Sequence, residues 1–343
     1  MRAYLSFDCK LLCEPPALAL VLTFTHATPR TRLRRAMSIS VSGFESTSDV
    51  HVVDTRYGPI TVTVQGDRSK PPLMTFHDVG LNHRTCFQPL FVCAGTSSDL
   101  LRKFCIYHVD APGCEDGGAG VEYAPCALLR DGETLDALAE RCEDVATYFG
   151  LTNVTVLGVG AGATVMALYA GRHASPVVAA MLISPSCTRA STMEHVLGAA
   201  AKFNLRRYGW TSWSLQHLMK RMFSYRALAG GSGGLFGSDL ACTAKREMSE
   251  LNAKAVLAYY EAALNRLDNT HIYEHLDIDA IILAGTNSPW YKDTLHMNAV
   301  MRPRKVAWIE MEGCGTVVTM EDPTCLLSPI NLFIQRLKSE GVC

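Results

Sequence analysis

The chain alternates between short apolar runs and longer amphipathic stretches from residue 51 onward. His51 to Thr55 and Ile60 to Val64 alternate around Tyr57-Gly58-Pro59, a pattern that predicts a hairpin of two antiparallel strands. Pro72 to Phe76, Phe104 to Val109 and Val177 to Ile183 are short continuous apolar runs, the mark of strands buried on both faces. Between the last two, Thr134 to Phe149 carries apolar residues at helical spacing and closes on Gly150, a helix C-cap. Residues 114 to 130 read as loop. After Ser186 the strand signal stops. Helical patterns run from Met193 to about Tyr225 and from Leu240 to Leu267, until Ile278 to Ala284 and Val306 to Met311 supply two further strands and Ile330 to Leu337 a closing helix. Strands alternating with helices over short connections predict an α/β fold with a mostly parallel sheet covered by helices on both faces.

The stretch around which this is organised is Val154 to Gly171. A β-branched run meets Gly158, Gly160 and Gly162 and then an apolar helical pattern: strand, sharp turn, helix. In α/β-hydrolases a G-x-S-x-G sequence at such a turn exposes a nucleophilic serine at the sheet's carboxyl edge. The flanking glycines are present here, but the central residue is Gly160, which has no side chain with which to attack. The alternate glycines do not make a dinucleotide fingerprint either. Ala163 stands where its last glycine should be, and no acidic residue ends the following strand.

Composition narrows the classes. The chain has 343 residues, 48% hydrophobic and 19% charged, with 32 Lys and Arg against 33 Asp and Glu, so it offers no broad basic field for nucleic acid. Its 13 cysteines are odd in number and none form a C-x-x-C pair, which suits thiols of a reducing compartment better than a disulfide framework. No His/Cys cluster has the spacing of a structural zinc site, and no cofactor is implied.

Residues 1–36 differ from the rest. Arg2, Lys10, Arg30, Arg32, Arg34 and Arg35 face only Asp8 and Glu14, Pro15-Pro16 interrupts any helix, and Ala17 to Phe24 is too short to span a bilayer. The segment reads as a disordered extension with Met37 as the effective start, or as an organellar transit peptide. The acidic residues ahead of its apolar run weaken a secretory reading.

Five stretches together resemble the N-myc downstream-regulated family of the α/β-hydrolase superfamily, its plant branch above all. They are Thr75 to Asn82 (TFHDVGLN), His108 to Gly113 (HVDAPG), Gly158 to Ala163 (GVGAGA), Gly285 to Pro289 (GTNSP) and Gly313 to Thr316 (GCGT). The resemblance covers nearly all of residues 50–338. It implies a hydrolase-like core over 37–187 and 276–343, with a helical cap inserted at 188–275. By the hydrolase pattern the nucleophile position is Gly160, the acid position Ser288 and the base position Thr316, so all three triad positions are vacated while the turns that carry them remain. His77, Asp78, Gly160, Ala161, Ser288 and Thr316 are the expected lining of the resulting pocket, with His77-Asp78 in the loop that serves the oxyanion hole in active relatives.

That family implies a cytoplasmic, non-enzymatic adaptor in signal transduction, whose partners in plants include a heterotrimeric G-protein βγ unit. Two other readings stand beside it: an esterase or lipase using displaced residues, and a small-molecule receptor using the emptied pocket. Cys314 or Cys187 paired with His296 or His271 would serve the first of these. The literal G-x-S-x-G at Gly230 to Gly234 follows no strand and reads as a linker. Asp110 reads as a turn former, and Gly162 should accept little beyond alanine because its helix must pack close to its own strand.

Overall fold

The structure is a computed structural model that describes residues 22–23, 48–93, 97–115, 128–172, 175–229 and 238–341. Gly230 to Gly234 and most of the leader lie outside the described residues. Nine strands are present among those described, in chain order β1 (Leu22–Thr23), β2 (Ser48–Thr55), β3 (Gly58–Gln65), β4 (Pro72–Phe76), β5 (Cys105–Val109), β6 (Val154–Val159), β7 (Val177–Ile183), β8 (Asp279–Gly285) and β9 (Val306–Met311). They form one sheet in the order β1-β9-β8-β7-β6-β4-β5-β3-β2. β3 runs antiparallel to both of its neighbours, β2 and β5, and the other pairings are parallel.

The central strands are apolar along their whole length because helices cover both faces. All six residues of β6 and all five of β5 are buried. The hairpin is clean, with Thr55 facing Gly58 across the turn. The helix Leu135–Phe149 ends on Gly150, whose φ of 63° accommodates the left-handed C-terminal turn. Leu22 and Thr23 add a two-residue parallel ladder to Ile309 and Glu310 at the β9 edge. The sequence reading gives the leader no place in the sheet; at these two residues an apolar run meets an otherwise open strand edge.

The long helical patterns after β7 resolve into shorter pieces. Thr192–Tyr208 ends at Gly209, and Ser212–Met222 starts on a capping box at Thr211, with its side chain accepting from the Ser214 N–H. Tyr225–Ala229, Asp239–Glu250, Ala253–Leu264 and Thr270–His275 follow. Helices without a counterpart in the sequence reading include Thr270–His275, the short Val318–Glu321, and Tyr291–Val300 between β8 and β9, where Thr294 and Met297 are the buried positions and no apolar stripe marks it. Among the described residues no helix is long and apolar enough to cross a membrane.

Candidate functional site

The turn after β6 is built by glycines that have no room to be anything else. A Cβ on Gly158 would lie 2.4 Å from the Ala163 Cα, and one on Gly162 would lie 2.3 Å from the Phe76 carbonyl oxygen and 2.4 Å from that of His77. Both collisions are with backbone, so the helix Ala161–Ala170 is pressed onto β6 and β4 at a separation that alanine would already break. Alanine at 162, which the sequence reading allows, would therefore drive its methyl group into two backbone carbonyls.

Gly160 sits between them with φ 56° and ψ −121° and stands as the N-cap of that helix. The place where its side chain would be is taken. A Cβ there would come within 2.4 Å of Cγ and 2.5 and 2.6 Å of the two carboxylate oxygens of Asp78. Asp78 reaches over from the loop after β4, and its Oδ1 accepts from the Ala161 N–H at 2.9 Å. The N-terminal N–H groups of a helix have no partner within the helix, and glycine offers no capping oxygen, so a carboxylate from across the turn fills that role and faces the positive end of the helix dipole.

Asp78 is fully buried, and burial raises its carboxyl above the ordinary range against the pull of Arg221 and of neighbouring backbone N–H groups. Its Oδ2 is buried without a hydrogen-bond partner. The nearest balancing charge comes from the inserted helices. The Arg221 guanidinium lies between two rings, 4.8 Å from the Tyr260 centroid and 4.7 Å from that of Trp290, an arrangement that holds a cation without a matched carboxylate bond. Arg266 stands beside it, donating to Thr188 O, Ala263 O and both oxygens of Glu194.

The space left over Gly160 and Ala161 is about 10 Å³, lined also by Ser184, Arg221 and Trp290. That is room for about one water. The emptied pocket expected from the sequence is thus a filled one: glycine at 160 makes space, and Asp78 from below and Arg221 with Trp290 from above take it up.

His77 does not face this space. Its Nε2 accepts from the Ala111 N–H at 2.9 Å, which leaves Nδ1 to donate to the Asp78 carbonyl at 2.8 Å. Burial lowers its pKa, favouring the neutral ring that this pattern requires. The Tyr259 hydroxyl donates to the His77 carbonyl at 2.9 Å, tying the loop to the inserted helices. Asp110 is more than a turn former. Burial would raise its carboxyl, but His83 brings it below the ordinary range, with N–H and Nδ1 contacts of 2.7 and 2.6 Å.

Ser288 and Thr316, from the turns after β8 and β9, are brought together. Thr316 Oγ1 donates to the Arg221 carbonyl at 2.7 Å, so the Ser288 hydroxyl, 2.9 Å away, donates to Thr316. The two turns interlock: a Cβ on Gly285 would lie 1.8 Å from the Gly315 carbonyl oxygen, and one on Gly315 would strike the backbone of Met222 to Ser224. This hydroxyl chain runs to backbone and touches neither Gly160 nor Asp78. The proposed Cys/His pairs do not form around Cys187. Its Sγ lies 3.3 Å from the Asp293 carboxylate, and burial together with that charge pushes the thiol up. Sequence reasoning missed Arg221 and Glu194 on helices, Trp290 in a turn and Arg266 in a loop, none of them part of a motif.

A parallel sheet of this order with one antiparallel strand, a glycine elbow after β6 and helices inserted after β7 define an α/β-hydrolase fold. Solved structures agree: an esterase from Thermogutta terrifontis superposes with a TM-score of 0.67 over 84% of this chain and 99% of its own at 14% identity. An enol-lactonase from Burkholderia xenovorans LB400 does so at 0.66 over 83% and 100% at 12% identity. Residues 50–338 match the Ndr family. The chain is 34% identical to Protein NDL1 and 32% identical to Protein NDL3 of Arabidopsis thaliana, covering 87% and 88% of this chain and 84% and 85% of theirs. Protein NDRG2 of Bos taurus is 28% identical over 84% of this chain and 77% of its own length. The chain belongs to the Ndr family.

Proposed function

We propose that this chain is a non-catalytic member of its family, a hydrolase-like scaffold that works by binding other proteins. The observation that carries this reading is the Asp78 carboxylate. Acyl transfer at this fold needs a nucleophile on the elbow and two backbone N–H groups free to receive a developing oxyanion. Here the elbow residue is Gly160, and the N–H of Ala161, one of that pair, is already engaged by a carboxylate. An oxyanion would have to displace a like charge. Gly160, Ser288 and Thr316 are on this reading the vacated triad positions, with the latter two re-used as a hydroxyl link to the Arg221 carbonyl. The helices inserted between β7 and β8 act as a fixed cap, which also speaks against a small-molecule receptor built on the same pocket.

A scaffold without chemistry acts through its surface. The resemblance to the plant branch makes a heterotrimeric G-protein βγ dimer the first partner to test. Calorimetric titration of the full chain with purified plant βγ should give saturable one-to-one binding. Absence of heat and of co-elution would remove βγ as the partner and the signalling role with it.

A further inference from the structure

A cavity away from the elbow lies under the turn that follows β9. It has a volume of about 480 Å³, within the range that accommodates small molecules. Two cysteines share its wall, Cys314 from the Gly313 to Thr316 turn and Cys325 from the one-turn helix Pro323–Leu326. Cys314 is 6% exposed and Cys325 half-buried. Both open onto the same solvent-reached space, while Cys86, Cys105, Cys114 and Cys142 are sealed in the core.

From this juxtaposition we infer that Cys314 and Cys325 are a thiol pair that a small-molecule disulfide of the glutathione class converts to an intrachain disulfide. Cys314, ahead of burial, raises the Cys325 thiol, so Cys314 is the one to open the exchange and Cys325 the one to resolve it. Cys325 Sγ also donates to the Asp322 carbonyl at 2.9 Å. The exchange balances without any further reagent. One thiol, losing its proton, attacks the glutathione disulfide to give a mixed disulfide and one glutathione thiolate. The second thiol, losing its proton, displaces the other glutathione. The protein gives up two electrons and two protons, and one glutathione disulfide becomes two glutathione thiols.

The bridge would close a short loop across the helix Val318–Glu321. That helix ends on Glu321, whose Oε2 accepts from Gly315 N–H at 2.9 Å and from Ser224 N–H at 3.0 Å. A disulfide here would therefore staple the turn that meets the inserted helices, and a constraint on the unfolded chain raises stability.

The test is a disulfide map of the full chain equilibrated in glutathione buffers of increasing oxidation, then alkylated and cleaved after glutamate. Glu312 and Glu321 place the two cysteines on separate fragments. Expected is a linked pair of fragments two hydrogens lighter than the sum of the thiols, with a melting temperature raised by a few degrees and restored by dithiothreitol. Cys325→Ser should leave Cys314 carrying a lasting glutathione adduct, because no second thiol resolves it. The exposed Cys242 serves as internal comparator. Cys314 and Cys325 both remaining thiols when Cys242 is fully modified would overturn the inference. Separate glutathione adducts on the two, or a bridge from either to another cysteine, would do the same. The map of the unmodified chain decides the matter even if the serine variant does not fold.

Discussion

Asp78 is the residue on which the site turns, and its protonation gives a direct readout. Burial lifts its carboxyl above the usual range, so the charged form is held less well in the folded chain than in the unfolded one. Its ionisation then costs stability: the contribution is most favourable below the unfolded pKa of about 3.9 and declines as pH rises through the raised folded value. Asp78→Asn keeps the shape and removes the charge. Its melting temperature minus that of the parent should increase between about pH 4 and pH 8. A difference that is flat over this range would mean that Asp78 titrates as it does in the unfolded chain. Gly160→Ser should yield no turnover for two separate reasons. The hydroxyl would be built into the Asp78 carboxyl, and neither Ser288 nor Thr316 can take its proton at neutral pH.

At the scale of elements, the elbow is a contact between backbones. Gly162→Ala should cost roughly 1–3 kcal/mol or more, since the added methyl meets two fixed carbonyl oxygens 2.3 and 2.4 Å away. Chemical denaturation checks it, and an unchanged midpoint would mean that helix and strand lie farther apart than described. The elbow itself was legible in the sequence because its glycines alternate between a β-branched run and an apolar helix. β4 and β7 coincide with the apolar runs at Pro72–Phe76 and Val177–Ile183, since a strand buried on both faces writes its burial into nearly every position; β9 keeps the expected bounds Val306–Met311 although Glu310 interrupts its apolar residues. The helix Tyr291–Val300 was not legible, because its buried residues are few and one is Thr294. The division of the inserted helices was missed because apolar periodicity continued across Gly209 and Thr211. Asp78 could be named from the loop motif. Its place above Gly160 could not, because that depends on how two loops 83 residues apart come together.

The whole molecule keeps the architecture of a hydrolase and closes the position where the chemistry would occur. The Asp78 carboxylate is beneath, the ring-clasped Arg221 above, and about 10 Å³ lies between. The interlocked turns at Gly285 and Gly315 fix the inserted helices through Met222 to Ser224, so opening this space would require moving packed backbone and not a single side chain. On that basis the full chain should be inert to reagents that need an activated serine. The direct measurement is intact-mass analysis after exposure to an excess of a fluorophosphonate, alongside an active esterase of this fold. The account predicts that the esterase gains one adduct per chain while this protein stays at its own mass. A stoichiometric adduct on any serine of the native chain, lost when it is denatured before exposure, would contradict it.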